Sequence, residues 1–185
     1  ASDVYKRQIE IYEALAAHGY REVGQEYLQN VLDTAKQLDA YDSGRIYYYL
    51  GEYQKAYLAL DEARDKGGAD SYLYLGRAYA ATGDYNYASS VYNNYLSKQG
   101  PNAEIYNELG LCEMAKKEYQ NALAAFQAGK QIEGNSLMQT LCFTEIVAYE
   151  YLEDYQQAEV LMNAYLQNYP DDQTAIREQQ FLSTR

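Results

Sequence analysis

The sequence predicts an all-α protein, an α-solenoid of about five helix-turn-helix hairpins followed by a C-terminal capping helix. Three observations predict this class: a short motif that recurs with a period near 34 residues, apolar residues at helical spacing around it, and turn sequences between the helices. Tyrosine supplies 24 of the 185 residues, whereas phenylalanine supplies three and tryptophan none. This composition suits thin helical layers, because a tyrosine ring packs inside while its hydroxyl stays near water.

The recurring motif is a small or acidic residue, a tyrosine, two further residues and usually an alanine. Its five tyrosines are separated by 33, 32, 34 and 36 residues, at Tyr20, Tyr53, Tyr85, Tyr119 and Tyr155. In the first copy Val23 takes the alanine position, and we expect Tyr27 and Asn30 to follow it on the same face of the second helix. A period of this length is typical of paired helices that bury one face against the next pair.

Turn residues divide the chain into these units. Gly67-Gly68, Gly100-Pro101 and Gly134-Asn135 stand where a second helix is expected to end. The predicted repeats cover residues 4–36, 37–68, 69–102, 103–138 and 139–170 of a single domain over residues 1–185. Asp171 or Asp172 is expected to begin the capping helix over residues 171–183.

The third unit carries the fullest set of recurring residues, which is Tyr72, Leu75, Gly76, Tyr79, Gly83, Asp84, Tyr85, Ala88 and Tyr92. This order of aromatic, Leu-Gly and Gly-Asp-Tyr residues resembles the tetratricopeptide repeat, and the resemblance spans almost the whole chain. It implies a right-handed solenoid that binds another protein or a peptide in its concave groove.

The first residues stand apart from the repeat. Residues 3–8, Asp-Val-Tyr-Lys-Arg-Gln, resemble the in-frame translation of a transposon end used in preparing DNA sequencing libraries. We interpret them as a sequencing artefact that does not belong to the first repeat, and the alternative is an ordinary amphipathic hexamer. Native sequence then begins near Ile9, and an upstream signal or lipid anchor is an open alternative.

The residue inventory does not favour catalysis, cofactors or metals. His18 is the only histidine and is expected in a turn, while Cys112 and Cys142 lie thirty residues apart without a paired ligand. Neither a phosphate-binding loop nor a dinucleotide-binding glycine motif occurs. The net charge of −12 disfavours nucleic acid as a partner. We therefore expect a protein that is not an enzyme and needs no cofactor.

Residues opposite the stacking face of each first helix are expected to line the groove. The candidate peptide-binding residues are Tyr12, Tyr41, Arg45, Tyr48, Tyr49, Tyr74, Arg77, Asn107, Leu111 and Met114. Arg45 and Arg77 occupy the same place in consecutive hairpins, so we expect them side by side, gripping a carboxylate or acidic segment.

On this hypothesis, replacing both arginines removes binding of an acidic peptide and leaves thermal stability unchanged. The alternative is that each arginine pairs with Asp42, Asp70 or Glu104 across the stack.

Two further partner classes can be judged from the resemblance and the groove. Family members that bind the acidic C-termini of heat-shock chaperones use a Lys, Asn and Arg set, and the places equivalent to that set hold Gln8, Tyr12, Asp42, Asp70 and Tyr74. A chaperone adaptor is therefore not expected. Toward the C-terminus the groove turns apolar, at Leu111, Met114, Phe143 and Val147. An amphipathic or extended apolar segment fits there, although partial burial explains these residues equally well.

The sequence therefore favours a bacterial-type interaction module that binds a protein or peptide, and one option for its context is a membrane-anchored assembly factor. The alternative is a structural spacer, or a fragment of a larger regulator or surface lipoprotein with no ligand of its own. An exposed Tyr and Arg cluster favours binding, whereas a groove filled by the chain's own side chains favours a spacer. The sequence leaves the location open between the cytoplasm and an anchored position outside it.

Overall fold

The computed structural model describes residues 2–35 and 37–185, and the regular structure in these ranges consists of α-helices. Residues 1 and 36 lie outside the described residues, as do the side chains of Ser2 and Asp3. The predicted end of the first repeat, at residue 36, and the side chain of Asp3 in the segment interpreted as an artefact therefore fall outside the description.

Five consecutive helix pairs and one final helix follow each other along the described chain. They are α1 (Ser2–Ala17), α2 (Arg21–Thr34), α3 (Ala40–Tyr49), α4 (Tyr53–Asp65), α5 (Ser71–Ala81), α6 (Tyr85–Gln99), α7 (Ala103–Ala115), α8 (Tyr119–Lys130), α9 (Met138–Tyr151), α10 (Tyr155–Asn168) and α11 (Gln173–Leu182). The predicted fold class, an all-α solenoid of helical hairpins with a C-terminal capping helix, is confirmed.

The chain divides into two compact units, residues 1–91 and residues 92–185, with the boundary inside α6. In unit 1, α1 contacts α3 and α3 contacts α5, so that these first helices are neighbours. Its core contains Ile9, Leu28, Val31 and Ile46, which are buried together with Tyr12. This arrangement places the tyrosine-bearing positions of α1, α3 and α5 beside one another.

Unit 2 has two clusters of buried side chains of its own. Ala122, Phe126 and Leu141 belong to the cluster between α8 and α9. Ile146 and Met162 belong to the cluster among α9, α10 and α11. Each cluster joins neighbouring helices in the chain, as expected for a repeat architecture in which stability is a sum of nearest-neighbour interfaces.

Glycines allow the two helices of a hairpin to approach closely. A Cβ atom added to Gly110 would lie 2.2 Å from the ring of Phe126, and one added to Gly44 would lie 2.6 Å from Leu60. Both distances are far below van der Waals contact, so a side chain at either position would force the helices apart. The glycine in the first helix of these hairpins thus has a packing role.

The predicted register of the first repeat is wrong by one residue. The other four motif tyrosines are the first residues of their helices, but Tyr20 precedes α2 and is 60% exposed. Gly24 rather than Val23 is the buried small residue, and the buried stripe continues at Leu28 and Val31 instead of Tyr27 and Asn30. The reason is steric, because a Cβ atom at residue 24 would lie 2.8 Å from the ring of Tyr12.

The cap of the last helix is Asp172 rather than Asp171. The side chain of Asp172 accepts hydrogen bonds from the backbone amides of Thr174 and Ala175, at 3.0 and 3.1 Å. An aspartate at this position satisfies two amide groups that the first turn of a helix leaves unpaired. Helix α11 therefore begins at Gln173 and buries Ala175 and Leu182.

Candidate functional site

Seven of the ten predicted binding residues come together in unit 1. We call them the tyrosine–arginine cluster, and they are Tyr12, Tyr41, Arg45, Tyr48, Tyr49, Tyr74 and Arg77. Tyr74 is the centre, since its ring centroid lies 6.2, 5.8 and 5.9 Å from those of Tyr41, Tyr48 and Tyr49. Edge-to-face contacts between rings at these distances stabilise the folded chain beyond the effect of buried area alone.

Both predicted arginines lie against this central ring. The guanidinium carbons of Arg45 and Arg77 lie 4.7 and 5.5 Å from the ring centroid of Tyr74. Arg45 also lies 5.4 Å from the ring centroid of Tyr41. Arginine is favoured over the face of an aromatic ring because its cation is attracted to the ring's negative face.

Arg45 is more enclosed than the sequence suggested. Its exposed fraction is only 9%, and its guanidinium donates a hydrogen bond of 3.2 Å to the hydroxyl of Tyr74. Its ion-pair partner is Glu13 on α1, at 3.6 Å, which the alternative hypothesis did not name. Asp42, which that hypothesis did name, also interacts electrostatically with Arg45. For Arg45 we therefore expect that removal lowers the thermal stability, because a buried cation with these partners leaves them unpaired when it is lost.

Glu13 contacts this cluster and was not among the residues predicted from the sequence. Its carboxylate accepts a short hydrogen bond from the hydroxyl of Tyr49, which also lies 3.0 Å from the hydroxyl of Tyr74. Burial, followed by the neighbouring Tyr74 and the hydrogen bond with Glu13, raises the pKa of Tyr49. Tyr49 is therefore a neutral donor at physiological pH. From the sequence, Glu13 resembles any solvated glutamate on an exposed helical face.

The cluster has a buried layer and a more accessible layer. Tyr12 and Tyr74 are 4% and 7% exposed, so they form the floor together with Arg45. Tyr41, Tyr48, Tyr49 and Arg77 are half-buried and retain surface that a ligand can contact. The cluster thus combines the filled interior expected of a spacer with the accessible aromatic rim expected of a binding site.

A cleft of about 300 Å³ adjoins the cluster between α1, α2 and the end of α3. Three predicted residues, Tyr12, Tyr48 and Tyr49, line it. Its other walls include Arg21, Gln25 and Tyr53, which were not predicted. The amide of Gln25 donates to the backbone carbonyl of Tyr49 at 3.0 Å, which ties α2 to the end of α3. This volume accommodates one side chain of a bound segment.

The three candidates of unit 2 lie on α7 and differ in exposure. Leu111 is 43% exposed, whereas Asn107 is 8% exposed. Met114 is partly buried and packs against the cluster that contains Phe126 and Leu141. Only Leu111 therefore presents a large surface to a ligand, and the side chains of Asn107 and Met114 belong mainly to the interior.

The described part of the chain shows little material for catalysis. No group of three or more histidine, cysteine or acidic side chains is placed to hold a metal ion in the described residues. Burial raises the pKa of the Cys112 thiol to about 12, so that it stays protonated at neutral pH. Among the described helices, none combines the length and the apolar character needed to cross a membrane.

The fold and the repeated glycine and tyrosine positions define a helical-repeat protein. The model of the tetratricopeptide repeat family matches residues 41–88 and 75–135, which together span half of the chain. The chain belongs to the tetratricopeptide repeat family. Repeats of this family generally serve as protein–protein interaction scaffolds. No curated protein matches the chain.

Solved structures with the same fold include other tetratricopeptide repeat proteins. TTC0263 of Thermus thermophilus is 16% identical with a TM-score of 0.75, over 98% of this chain and 100% of that one. A protein of Parabacteroides merdae is 18% identical with a TM-score of 0.68, over 96% and 72%. YrrB, described as having an unusual peptide-binding site, is 17% identical with a TM-score of 0.65, over 94% and 90%. At these identities the likeness shows the fold alone.

Proposed function

We propose that this chain is a non-catalytic binding scaffold that holds a peptide segment of a partner protein against the tyrosine–arginine cluster of unit 1. The observation that carries the proposal is the half-buried rim of Tyr41, Tyr48, Tyr49 and Arg77 around a rigid floor. Tyrosine and arginine are the residues in which binding energy concentrates at protein interfaces. A floor held by hydrogen bonds also lowers the entropy lost when a ligand binds.

The preferred segment combines an acidic side chain with apolar neighbours. Arg45 and Arg77 concentrate two positive charges at one ring, in a chain whose net charge is −12. Because Arg45 is buried whereas Arg77 is half-buried, Arg77 is the arginine that meets the ligand's carboxylate. The rings of Tyr48 and Tyr49, at the edge of the adjoining cleft, then pack against an apolar side chain of the same segment.

Selection from a random peptide library on the immobilised chain tests this proposal. We expect the selected peptides to contain Asp or Glu next to an apolar or aromatic residue. The affinity of the best peptide should fall by about tenfold in Arg77→Gln, which is the usual scale for one charged hydrogen bond in an interface. In Tyr48→Ala it should fall by a similar factor, because the ring surface is lost.

Lys55→Gln is the matched control for Arg77→Gln, because it removes one positive charge from the same unit at an exposed site paired with Glu52. It should leave the affinity unchanged. Failure to select any peptide supports the spacer alternative. Selection of basic peptides, or equal losses in Arg77→Gln and Lys55→Gln, contradicts the acidic preference but leaves a binding role standing.

A further inference from the structure

Unit 2 contains a cavity of about 310 Å³ between α9, α10 and the start of α11. Phe143 and Tyr165 provide its aromatic wall, with ring centroids 5.7 Å apart. Thr140 and Thr174 lie at its polar edge and are exposed, and Asp172 supplies its one charged group. No basic side chain lines this cavity among the residues described.

Asp172 is held in its charged form by the hydrogen bonds around it. One carboxylate oxygen accepts from the two backbone amides of α11 that it caps. The other oxygen accepts from the hydroxyl of Tyr165 at 2.6 Å. The bond from Tyr165, followed by those from the backbone, lowers the pKa of Asp172. The cavity therefore contains a negative charge at neutral pH, beside an aromatic wall.

The position of Gln139 shows where an additional donor approaches this carboxylate. Its amide nitrogen lies 3.4 Å from the same oxygen of Asp172 that accepts from Tyr165, and 3.1 Å from the hydroxyl of Tyr165. A distance of 3.4 Å is long for a hydrogen bond between nitrogen and oxygen. Gln139 is exposed, so a ligand can displace its amide at little cost. A cationic donor in that place forms a shorter and stronger bond.

We infer that this cavity binds the side chain of a lysine or arginine from a partner protein, with its aliphatic stem on Phe143 and Tyr165 and its positive charge at Asp172. Aromatic rings attract such cations, and the carboxylate adds an ion pair. Residues 92–185 carry thirteen acidic and six basic side chains, so the surrounding field also attracts a cation. The positive end of the α11 helix dipole repels a bound cation only weakly, because Asp172 already accepts hydrogen bonds from the first amides of this helix.

This site differs from the tyrosine–arginine cluster in its unit and in the charge of its ligand, so the two proposals can fail separately. The test is a nuclear magnetic resonance titration of the full chain with short, capped alanine peptides that contain one central lysine, norleucine or glutamate. The lysine peptide should shift the amide signals of Thr140, Thr144 and Thr174 saturably. Norleucine keeps the stem without the charge, and its peptide should bind at least about fivefold more weakly.

Asp172→Asn removes the charge and keeps a residue that caps helices well. It should weaken binding of the lysine peptide about fivefold to tenfold. Asp154→Asn is the matched control, because Asp154 caps α10 by accepting from the amide of Gln157 and does not line the cavity. It should leave the affinity unchanged.

Three outcomes overturn the inference: equal binding of the lysine and norleucine peptides, unchanged affinity in Asp172→Asn, or equal losses in Asp172→Asn and Asp154→Asn. The first would indicate an apolar cavity, and the last a diffuse acidic field. Thermal melts show whether Asp172→Asn retains the fold. If it does not, the comparison of lysine with norleucine peptides on the unmodified chain decides the question.

Discussion

Arg45 is a cation inside a layer of tyrosine rings, and its ion-pair partner is the half-exposed carboxylate of Glu13. Its side chain is 11% exposed, whereas that of Glu13 is 43% exposed. Taking a guanidinium out of water is costly, and here the ion pair with Glu13, the hydroxyl of Tyr74 and two ring faces offset that cost. The residue thus supports the position of the rings more than it contacts a ligand.

We expect Arg45→Met to lower the free energy of unfolding by about 1–3 kcal/mol, because the hydroxyl of Tyr74 loses its charged donor and the rings lose a cation. Urea unfolding followed by circular dichroism measures the change. Lys55→Met, at an ion pair on the surface, should leave the stability almost unchanged. A stability loss in Arg45→Met no larger than in Lys55→Met would contradict a structural role for Arg45.

Glu150 on α9 makes the stability of the folded chain depend on pH near neutrality. Burial, followed by the nearby carboxyl of Glu178 on α11, raises the pKa of Glu150 to about 7 from an ordinary value of 4.5. The folded state thus binds this proton more tightly than the unfolded state. The stabilising contribution is complete below pH 4.5 and is lost as the pH rises through about 7.

Replacing the carboxyl of Glu150 should remove its contribution to the pH dependence of stability. We expect Glu150→Gln to be more stable than the unmodified chain by about 1 kcal/mol at pH 8, after allowance for solvent screening, with the difference shrinking toward about pH 4.5. Thermal melts across this pH range measure the difference. Glu159→Gln, on the exposed face of α10, is the control and should show no such trend.

At the scale of the helix, the turn between the two helices of each hairpin requires one residue with a positive φ angle. Glycine occupies this place in the first three hairpins, as Gly19, Gly51 and Gly83. The fourth and fifth hairpins use Lys117 and Glu153 instead, at φ angles of 65° and 60°. A side chain strains this conformation, so the last two turns are less favourable than the first three.

We expect Lys117→Gly to stabilise the chain by about 0.5–1 kcal/mol, because glycine adopts a positive φ without a steric penalty. The side chain of Lys117 is exposed, so its loss removes little packing. Lys117→Ala provides the control, since alanine removes the charge and keeps the strain. Chemical denaturation of the three proteins measures the effect. Equal stability of the glycine and alanine variants would show that the turn is not strained.

At the scale of the whole chain, the charge of −12 disfavours an electrostatic affinity for nucleic acid. We expect no change in the fluorescence anisotropy of a labelled DNA duplex on addition of the chain at about 50 mM salt, where such binding is strongest. A basic DNA-binding protein serves as the positive control. Saturable binding that weakens as salt is added would contradict this expectation.

Much of the fold was predictable from the sequence, because its signals are local and repeated. The period near 34 residues, the spacing of Ala56, Leu60 and Ala63, and the turn glycines indicated the helices, and the same positions carry the family resemblance. The gathering of tyrosines with Arg45 and Arg77 in unit 1 followed from their equivalent places in consecutive repeats. Repetition makes such positions comparable without knowledge of the tertiary structure.

The fold class, the repeat and the residues of the aromatic cluster could therefore be predicted without the structure. The packing between helices was needed to show that Glu13 pairs with Arg45, that Gly24 rather than Val23 faces Tyr12, and that Asp172 contributes to a cavity with Phe143. These three features depend on contacts between different helices. Such contacts follow from how side chains fill space, which the helical spacing of one segment does not encode.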